Sequence, residues 1–254
     1  PDFTSPPVTT ATQDVEYTYN VTAADLDVGD TLTITATTKP DWLTLTATGN
    51  GTATLSGTPA NADVGANAVV LLVTDGSGAT GTQSFTIMVE NVNDDPTDID
   101  LTLTSVAENE PIGTAVGTFT TTDQDDADAH TYSFVAGDGA DDNASFTINE
   151  GQLLTAAEFD HENKDSYTIR VRSTDSGGLW YEEAFTITVD DVNERPTNIT
   201  LDPMTVAENL VAGTLIGTFT TSDQDDGDTH GYTLVVGDGS DDNASFTINE
   251  GQLL

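Results

Sequence analysis

Carboxylate side chains recur in this chain at a spacing that suits metal binding. Asp123 and Asp125 stand two residues apart, and the same pair returns 100 residues later as Asp223 and Asp225. Calcium takes about six to eight hard oxygen ligands, mostly from carboxylates and carbonyls. Carboxylates gathered without a cation repel one another. These residue types in this pattern therefore favour calcium binding.

A repeat of 100 residues organises the sequence. Residues 96–154 align with 196–254 without a gap and match at 40 of 59 positions. A fixed period indicates one module used in series. We expect modules at 1–95, 96–195 and 196–254, with the last one corresponding to the N-terminal part of the repeat. The chain is therefore expected to be a piece of a longer protein.

Alternating apolar residues predict short strands throughout. Phe85, Ile87 and Val89 point to one face of a strand that ends at the first joint, 91–96, and a matching strand precedes the second joint, 191–196. The middle module predicts seven strands, near 99–106, 113–121, 130–136, 144–149, 151–155, 166–173 and 179–189. This pattern is typical of a Greek-key sandwich. We therefore predict an all-β fold of tandem Greek-key β-sandwiches in a linear rod.

The composition excludes several classes of partner. The net charge is −39, from 44 acidic and 5 basic residues, whereas nucleic acids and anionic membranes are bound by clustered Lys and Arg. No apolar run approaches the roughly 20 residues that span a membrane. Two explanations of the charge remain open, and both can hold: an acidic surface suited to salty water, and a set of cation sites. The expected location is extracellular or at the cell surface.

Strand parity distributes the acidic residues between the two ends of each sandwich. Glu108, Asp160 and Glu162 fall at the end where the chain leaves the middle module, and Asp123, Asp125 and Asp175 at the end where it arrives. Each joint then gathers carboxylates from both sides. The predicted set at the second joint is Glu108, Asp160, Glu162, Asp191, Asn193, Glu194, Asp223 and Asp225. The set at the first is Asn91, Asn93, Asp94, Asp123, Asp125 and Asp175.

The same motifs carry a resemblance. Ala107-Glu-Asn109, Thr122-Asp-Gln-Asp125, Phe159-Asp-His-Glu162, Ser173-Thr-Asp175 and Asp191-Val-Asn-Glu-Arg-Pro196 resemble the calcium motifs of cadherin repeats. The joint is one residue shorter than the usual cadherin form. The resemblance covers 96–195 and continues in 196–254, where Glu208 takes the place of Glu108. It implies Ca²⁺ bound between neighbouring domains of one chain, which stiffens a rod.

The first module resembles a different type, the dystroglycan-type cadherin-like domain, which is also described as an Ig domain. Pro40-Asp-Trp-Leu43, Leu55-Ser-Gly-Thr-Pro59, Asn61-Ala-Asp-Val-Gly65 and Thr74-Asp-Gly76 carry this resemblance, and the two resemblances together imply cadherin/Ig-like β-sandwiches. Asp63 precedes Asp75 by 12 residues, much as Glu162 precedes Asp175 by 13, so we expect Asn61 and Asp63 to lie at the first joint. Asp25, Asp27 and Asp75 are assigned to the opposite end, facing an upstream domain. No Glu corresponds to Glu108, and Asp14 is the nearest candidate. The first joint is therefore expected to hold fewer or weaker ions.

Other sites fit the sequence less well. An EF-hand loop that began at Asp123 would end in Glu, but Phe134 occupies that position. His161-Glu162 lacks the second His of a zinc-protease helix. No catalytic constellation stands apart from the calcium set, so we expect no enzyme. The predicted function is a calcium-binding extracellular region of an adhesin, similar to repeats of large bacterial surface proteins. The partners would be other cell-surface proteins or glycans, and the alternatives are a carbohydrate- or protein-binding module and the accessory region of a secreted enzyme.

Overall fold

The computed structural model describes residues 1–125 and 128–254. Within those residues the regular structure consists of strands and three short 3₁₀ helices, without an α-helix, which confirms the all-β prediction. No helix in the described part of the chain is long and apolar enough to cross a membrane. The chain divides into two compact units. The first comprises 1–98, 121–131 and 173–181, and the second 99–120, 132–172 and 182–254.

Eight strands form two sheets in residues 1–90. They are β1 Asp2–Phe3, β2 Thr10–Thr12, β3 Tyr17–Ala24, β4 Thr33–Thr38, β5 Thr44–Gly49, β6 Thr52–Gly57, β7 Gly65–Thr74 and β8 Thr80–Glu90. One sheet has the order β1-β3-β6-β5 and the other β2-β8-β7-β4. Alternate residues of both sheets, among them Val21, Leu55 and Leu71, are buried in one core. The sequence alternation thus gives a β-sandwich.

Local chemistry explains the turn between β5 and β6. Gly51 has a φ of +65°, and a Cβ there would come within 2.8 Å of the Ala23 carbonyl oxygen. The Asn50 side chain donates to the Asp30 carbonyl oxygen at 3.0 Å and accepts from the Leu32 N–H at 2.5 Å. Trp42 packs edge-on against Tyr17 and is partly buried against the core.

Eight further strands lie between residues 98 and 190. They are β9 Asp98–Leu101, β10 Ser105–Ala107, β11 Ala115–Thr122, β12 Thr131–Phe134, β13 Phe146–Asn149, β14 Gln152–Thr155, β15 Ser166–Thr174 and β16 Trp180–Asp190. Their sheets have the orders β13-β14-β11-β9 and β10-β16-β15-β12. The predicted single strand at 99–106 is therefore wrong, because β9 and β10 belong to different sheets. The chain crosses between them at residues 102–104, where Leu103 is 64% exposed.

Two short parallel strands, β2 and β10, position Gln13 and Glu108. Strand β10 pairs with β16 and places Ala107 opposite Asp190, so Glu108 leaves the sheet beside the second joint. Strand β2 pairs with β8 and places Thr12 opposite Glu90, so Gln13 leaves the sheet beside the first joint. The backbone N–H groups of Glu108 and Gln13 donate to the carbonyl oxygens of those partner residues at 3.1 and 3.0 Å. Gln13 and Glu108 are therefore structural counterparts.

Residues 196–254 form one sheet. Its strands are β17 Asn198–Asp202, β18 Gly217–Ser222, β19 Ile248–Asn249 and β20 Gln252–Leu253, in the order β17-β18-β20-β19. Residues 205–207, the counterpart of β10, form no strand, and Glu208 is exposed. Strand β10 depends on pairing with β16, and residues 196–254 contain no counterpart of β16. The repeat in sequence is therefore not matched by a repeat in burial at this position.

Candidate metal centres

Carboxylates converge around the linker at 191–196. Glu108, Glu162 and Glu194 bring one oxygen atom each to within 4.8 Å of one another, and Asp223, Asp225 and Asp228 do the same. Asp191 forms a similar group with His161 and Glu162. We call this set the second acidic cluster: Glu108, Glu162, Asp191, Glu194, Asp223, Asp225 and Asp228. Its members lie within one unit of the structure.

Backbone hydrogen bonds fix the linker inside the second acidic cluster. Glu108 is only 2% exposed. Its carboxylate accepts from the Val192 N–H at 2.8 Å and from the His161 N–H at 2.9 Å. The Asp225 carboxylate accepts from the Glu194 N–H at 2.8 Å. Carboxylates from two distant parts of the chain, Glu108 and Asp225, therefore hold a single linker.

Two oxygen atoms in this cluster have no protein partner. Glu194 Oε2 and Asp225 Oδ1 are buried and accept no hydrogen bond. Desolvation, with the neighbouring charges of Glu108 and Asp225, raises the pKa of Glu194 above its ordinary value. A buried carboxylate oxygen without a donor costs free energy. The chain alone therefore leaves negative charge uncompensated at this point.

The donor set suits calcium. The converging atoms that carry charge are carboxylate oxygens, which calcium and other hard cations prefer. His161 Nδ1 donates to the Val189 carbonyl oxygen at 2.7 Å, and this hydrogen bond is the main cause of the raised pKa of His161. The two unpartnered oxygen atoms of Glu194 and Asp225 are the observation that makes a cation fit here.

A comparable set surrounds the linker at 91–96. We call it the first acidic cluster: Gln13, Asn91, Asn93, Asp94, Asp123, Asp125, Asp128 and Asp175. Oxygen atoms of Asp123, Asp128 and Asp175 lie within 4.8 Å of one another, and Asp128 Oδ2 is buried without a hydrogen-bond partner. All of its members lie in the other unit.

Side-chain amides satisfy most of the first acidic cluster. Asn91 Nδ2 donates to Asp125 at 2.8 Å. Asn93 Nδ2 donates to Asp175 at 2.8 Å, and the Asp94 N–H donates to Asp125 at 2.7 Å. Desolvation would raise the pKa of Asp175, but the hydrogen bonds from Asn93 and from backbone N–H groups outweigh it and hold that pKa below its ordinary value. The charge balance therefore differs from that of the second cluster.

Gln13 completes the first acidic cluster. It is 2% exposed, and its Oε1 accepts from the Val92 N–H at 3.3 Å, as Glu108 does from Val192. Its Nε2 donates to the Asp94 carboxylate at 2.8 Å. Asp14 is not the counterpart of Glu108. It matches Asn109, since both have φ near +60°, and their N–H groups donate to the carbonyl oxygens of Pro59 and Phe159.

Several other predicted ligands form hydrogen bonds within their own turns. Asp63 accepts from the Ala60 N–H at 2.9 Å, and Asp160 accepts from the Asn163 N–H at 2.9 Å. Asn193 donates to the Glu194 carbonyl oxygen at 2.6 Å within the linker. Both Asp25 and Asp75 accept from backbone N–H groups two residues ahead, those of Asp27 and Ser77. The hydrogen bond from the Asp27 N–H is the main cause of the lowered pKa of Asp25.

Three residues of these clusters, Gln13, Asp128 and Asp228, were not among the ligands predicted from the sequence. Asp128 and Asp228 recur with the 100-residue period and stand three residues after Asp125 and Asp225, so the repeat itself was a usable signal. Gln13 carried none: it is neutral, and it lies 95 residues before Glu108 rather than 100. Only the parallel pairing of β2 with β8 identifies it.

Comparison with protein families agrees with this architecture. Residues 1–90 match the family described as "Putative Ig domain", and residues 102–190 match the family described as "Cadherin domain". The chain carries an Ig-type domain followed by a cadherin domain. This is the order that the sequence motifs predict, so the resemblance is confirmed. The proposed boundaries of the modules, and the assignment of single residues as ligands, stay predictions.

Curated relatives are similar to part of the chain. Protocadherin gamma-B5 of Pan troglodytes is 32% identical over 170 residues, which is 63% of this chain and 18% of that protein. Protocadherin Fat 4 of Mus musculus is 38% identical over 138 residues, which is 50% of this chain and 3% of that protein. The chain thus spans less than a fifth of the length of these relatives. The matches indicate an extracellular region related to cell adhesion.

Solved structures share the fold. The extracellular domain of protocadherin GammaB4 has a TM-score of 0.66 at 22% identity, covering 99% of this chain and 44% of that chain. Mouse cadherin-23 EC22-24 has a TM-score of 0.55 at 22% identity, covering 99% and 86%. At this level of identity the likeness establishes the cadherin-type β-sandwich fold and nothing finer.

Proposed function

We propose that this chain is a calcium-binding segment of an extracellular adhesin, in which the acidic clusters hold the linkers between successive domains. Bound calcium would supply positive charge shared among carboxylates from different parts of the chain. The proposed location is the cell surface. Other cell-surface proteins or glycans would be the adhesion partners.

The observation that carries the proposal is the charge imbalance of the second acidic cluster. Glu108, Glu162 and Glu194 place oxygen atoms within 4.8 Å of one another, and one oxygen of Glu194 is buried without a donor. The chain has only five basic residues, and Lys164, Arg170 and Arg172 form ion pairs with Asp142 or Glu182, which lie outside the cluster. A cation from solution is therefore the available counter-charge.

Different residues of the second acidic cluster bind different parts of the linker. Glu108 fixes the Val192 N–H, and Asp225 fixes the Glu194 N–H. Asn109 donates to Glu194 and orients its carboxylate. With the counter-charge in place, these hydrogen bonds no longer compete with repulsion, so the linker opens less often. Binding to the folded form alone also stabilises the fold by mass action.

Thermal unfolding of the whole chain would test the proposal. We expect a higher melting temperature in millimolar calcium than in EDTA, and a smaller rise with the same concentration of magnesium, which prefers stricter octahedral geometry. Isothermal titration calorimetry should show calcium binding, and Glu194→Gln should weaken it about tenfold or more, since it removes one charged ligand.

Glu158→Gln is the matched control. Glu158 is exposed and lies outside both clusters, so this change removes the same charge without removing a ligand. It should leave calcium affinity within about twofold, the size expected for a screened surface charge. Equal stabilisation by calcium and magnesium, or equal effects of the two variants, would contradict a specific calcium site.

A further inference from the structure

We infer that the side-chain amide of Gln13 takes, in the first acidic cluster, the place that a cation holds in the second, so that the linker at 91–95 stays closed without calcium at that point. The inference builds on the proposed function for the second cluster. For the first cluster it depends only on hydrogen bonds within residues 1–98, 121–131 and 173–181.

The backbone N–H groups of the two linkers make matching hydrogen bonds. The Val92 N–H donates to Gln13 Oε1, and the Val192 N–H donates to Glu108 Oε1. One step further along, the Asp94 N–H donates to Asp125 Oδ2 at 2.7 Å, and the Glu194 N–H donates to Asp225 Oδ2 at 2.8 Å. The clusters can therefore be compared atom by atom.

The difference lies in what faces the linker carboxylate. In the second cluster Glu108 and Glu194 present like charges, with oxygen atoms within 4.8 Å. In the first cluster Gln13 Nε2 donates directly to Asp94 Oδ2 at 2.8 Å. A hydrogen bond from a buried amide to a carboxylate replaces repulsion with attraction. Gln13 thus gives the linker carboxylate of Asp94 a favourable partner from within the chain. Between Glu108 and Glu194, a cation would have to bind to provide the same compensation.

The turn that follows β6 agrees with this substitution. The Asp14 N–H donates to the Pro59 carbonyl oxygen, as the Asn109 N–H does to that of Phe159. Ala60 and Ala62 then follow Pro59 at the steps where Asp160 and Glu162 follow Phe159. Glu162, a member of the second acidic cluster, therefore has a methyl group as its counterpart in the first module. The first cluster lacks the charge that a cation beside Gln13 would need.

Hydrogen exchange read by mass spectrometry tests the inference, with peptides that cover 91–95 and 191–195 of the whole chain. In EDTA we expect the first linker to keep its protection. The second should exchange roughly tenfold faster or more than in calcium, which corresponds to about 1.4 kcal/mol of opening free energy. Equal loss of protection at both linkers in EDTA would overturn the inference.

Reciprocal variants sharpen the test. Gln13→Glu should make the first linker depend on calcium and add one bound calcium in native mass spectrometry. Glu108→Gln should leave the second linker protected in EDTA and remove one. If Gln13→Glu leaves both the exchange in EDTA and the ion count unchanged, the inference is wrong.

The same experiments distinguish a failure of the proposed function from a failure of this inference. If the second cluster binds no calcium, its linker exchanges equally in calcium and EDTA, and Glu108→Gln changes no ion count. Gln13→Ala still decides the inference in that case. The variant loses the Gln13–Asp94 hydrogen bond and should deprotect 91–95 in EDTA by about tenfold, while Glu158→Ala should not. Unchanged protection in Gln13→Ala would refute the role of the amide.

Discussion

The two acidic clusters share a backbone frame and differ in chemistry. In the first, the amides of Gln13, Asn91 and Asn93 donate to facing carboxylates. In the second, Glu and Asp stand at the positions of Gln13 and Asn91. Both clusters contain a buried oxygen without a donor, but in the second it lies on the linker residue Glu194, whereas in the first it lies on Asp128, outside the linker. The same linker geometry can therefore be held by hydrogen bonds within the chain or by charge that comes from solution.

This comparison separates the position of an acidic residue from its need for a cation. Asp175 and Glu194 both lie beside linker residues, yet their pKa values move in opposite directions. Desolvation raises the pKa of both carboxylates. Hydrogen bonds from Asn93 and from backbone N–H groups outweigh it and lower the pKa of Asp175, whereas the charges of Glu108 and Asp225 raise the pKa of Glu194 further. The hydrogen-bond donors and charges that surround a carboxylate therefore decide the direction in which its pKa moves.

The largest difference should come from Glu108→Ala. This change removes the acceptor for the Val192 and His161 N–H groups together with a proposed ligand. We expect a loss of about 2–5 kcal/mol in the free energy of unfolding in calcium, measured by denaturant titration. Gln13→Ala should cost less, about 1–3 kcal/mol, because it removes one acceptor and one neutral donor. A greater loss for Gln13→Ala would reverse the ranking of the two clusters.

A smaller effect should follow from exchanging Asn91 and its counterpart Asp191. Asn91→Asp turns the hydrogen bond to Asp125 into a contact between like charges, so in EDTA it should destabilise the fold by about 1–2 kcal/mol. Asp191→Asn should be neutral or stabilising under the same conditions. Denaturant titration of both variants in EDTA measures this, with Glu158→Gln as the control. Destabilisation by both variants would mean that shape, rather than charge, sets these positions.

Much of the fold follows from the sequence. Period-2 alternation predicts the buried positions of β8 and β16, and the repeat predicts two clusters of acidic residues at matching places. The crossing between β9 and β10 was not predictable in this way, since alternation reports which residues face a core and not which sheet a strand joins. The pattern around Leu103 carries no mark of the change of sheet.

The chemistry of the site was less predictable than the fold. A search for carboxylates finds Glu108 and Asp125, but it passes over Gln13, because an amide that replaces a ligand has no charge to count. The motif Ala107-Glu-Asn109 does not by itself predict that Glu108 is buried. Burial at this position depends on a parallel strand pairing that lies outside the motif itself.

In the absence of calcium, the stability of the fold should depend on pH through Glu194. The folded pKa of Glu194 is raised above its ordinary value of 4.5, so its favourable contribution is full below that value and is lost as pH rises through the folded pKa. For Asp175 the pKa is lowered from 3.8, so its contribution is present above that value and is lost as pH falls through the folded pKa. Between pH 7 and pH 5, Glu194 should respond and Asp175 should not. His161, whose pKa is also raised, adds a response that the unaltered chain and both variants share.

Thermal unfolding in EDTA at pH 7 and pH 5 measures this response. The melting temperature should rise on acidification by more in the unaltered chain than in Glu194→Gln, whose side chain cannot titrate. Asp175→Asn should leave the rise unchanged, because the shift of Asp175 falls below this pH window. An identical rise in the unaltered chain and in Glu194→Gln would show that general charge repulsion dominates the effect.

The smallest effect concerns a contact that both clusters share. His130 Nε2 lies 2.9 Å from Asp123, and His230 Nε2 lies 2.7 Å from Asp223. This pair is the same in the two clusters, whereas the amides and carboxylates around the linkers differ. His130→Asn and His230→Asn should therefore change calcium affinity alike, each by less than about twofold. Calorimetric titration would detect an unequal response, which would place the difference between the clusters in the Asp-x-Asp loops rather than at Gln13.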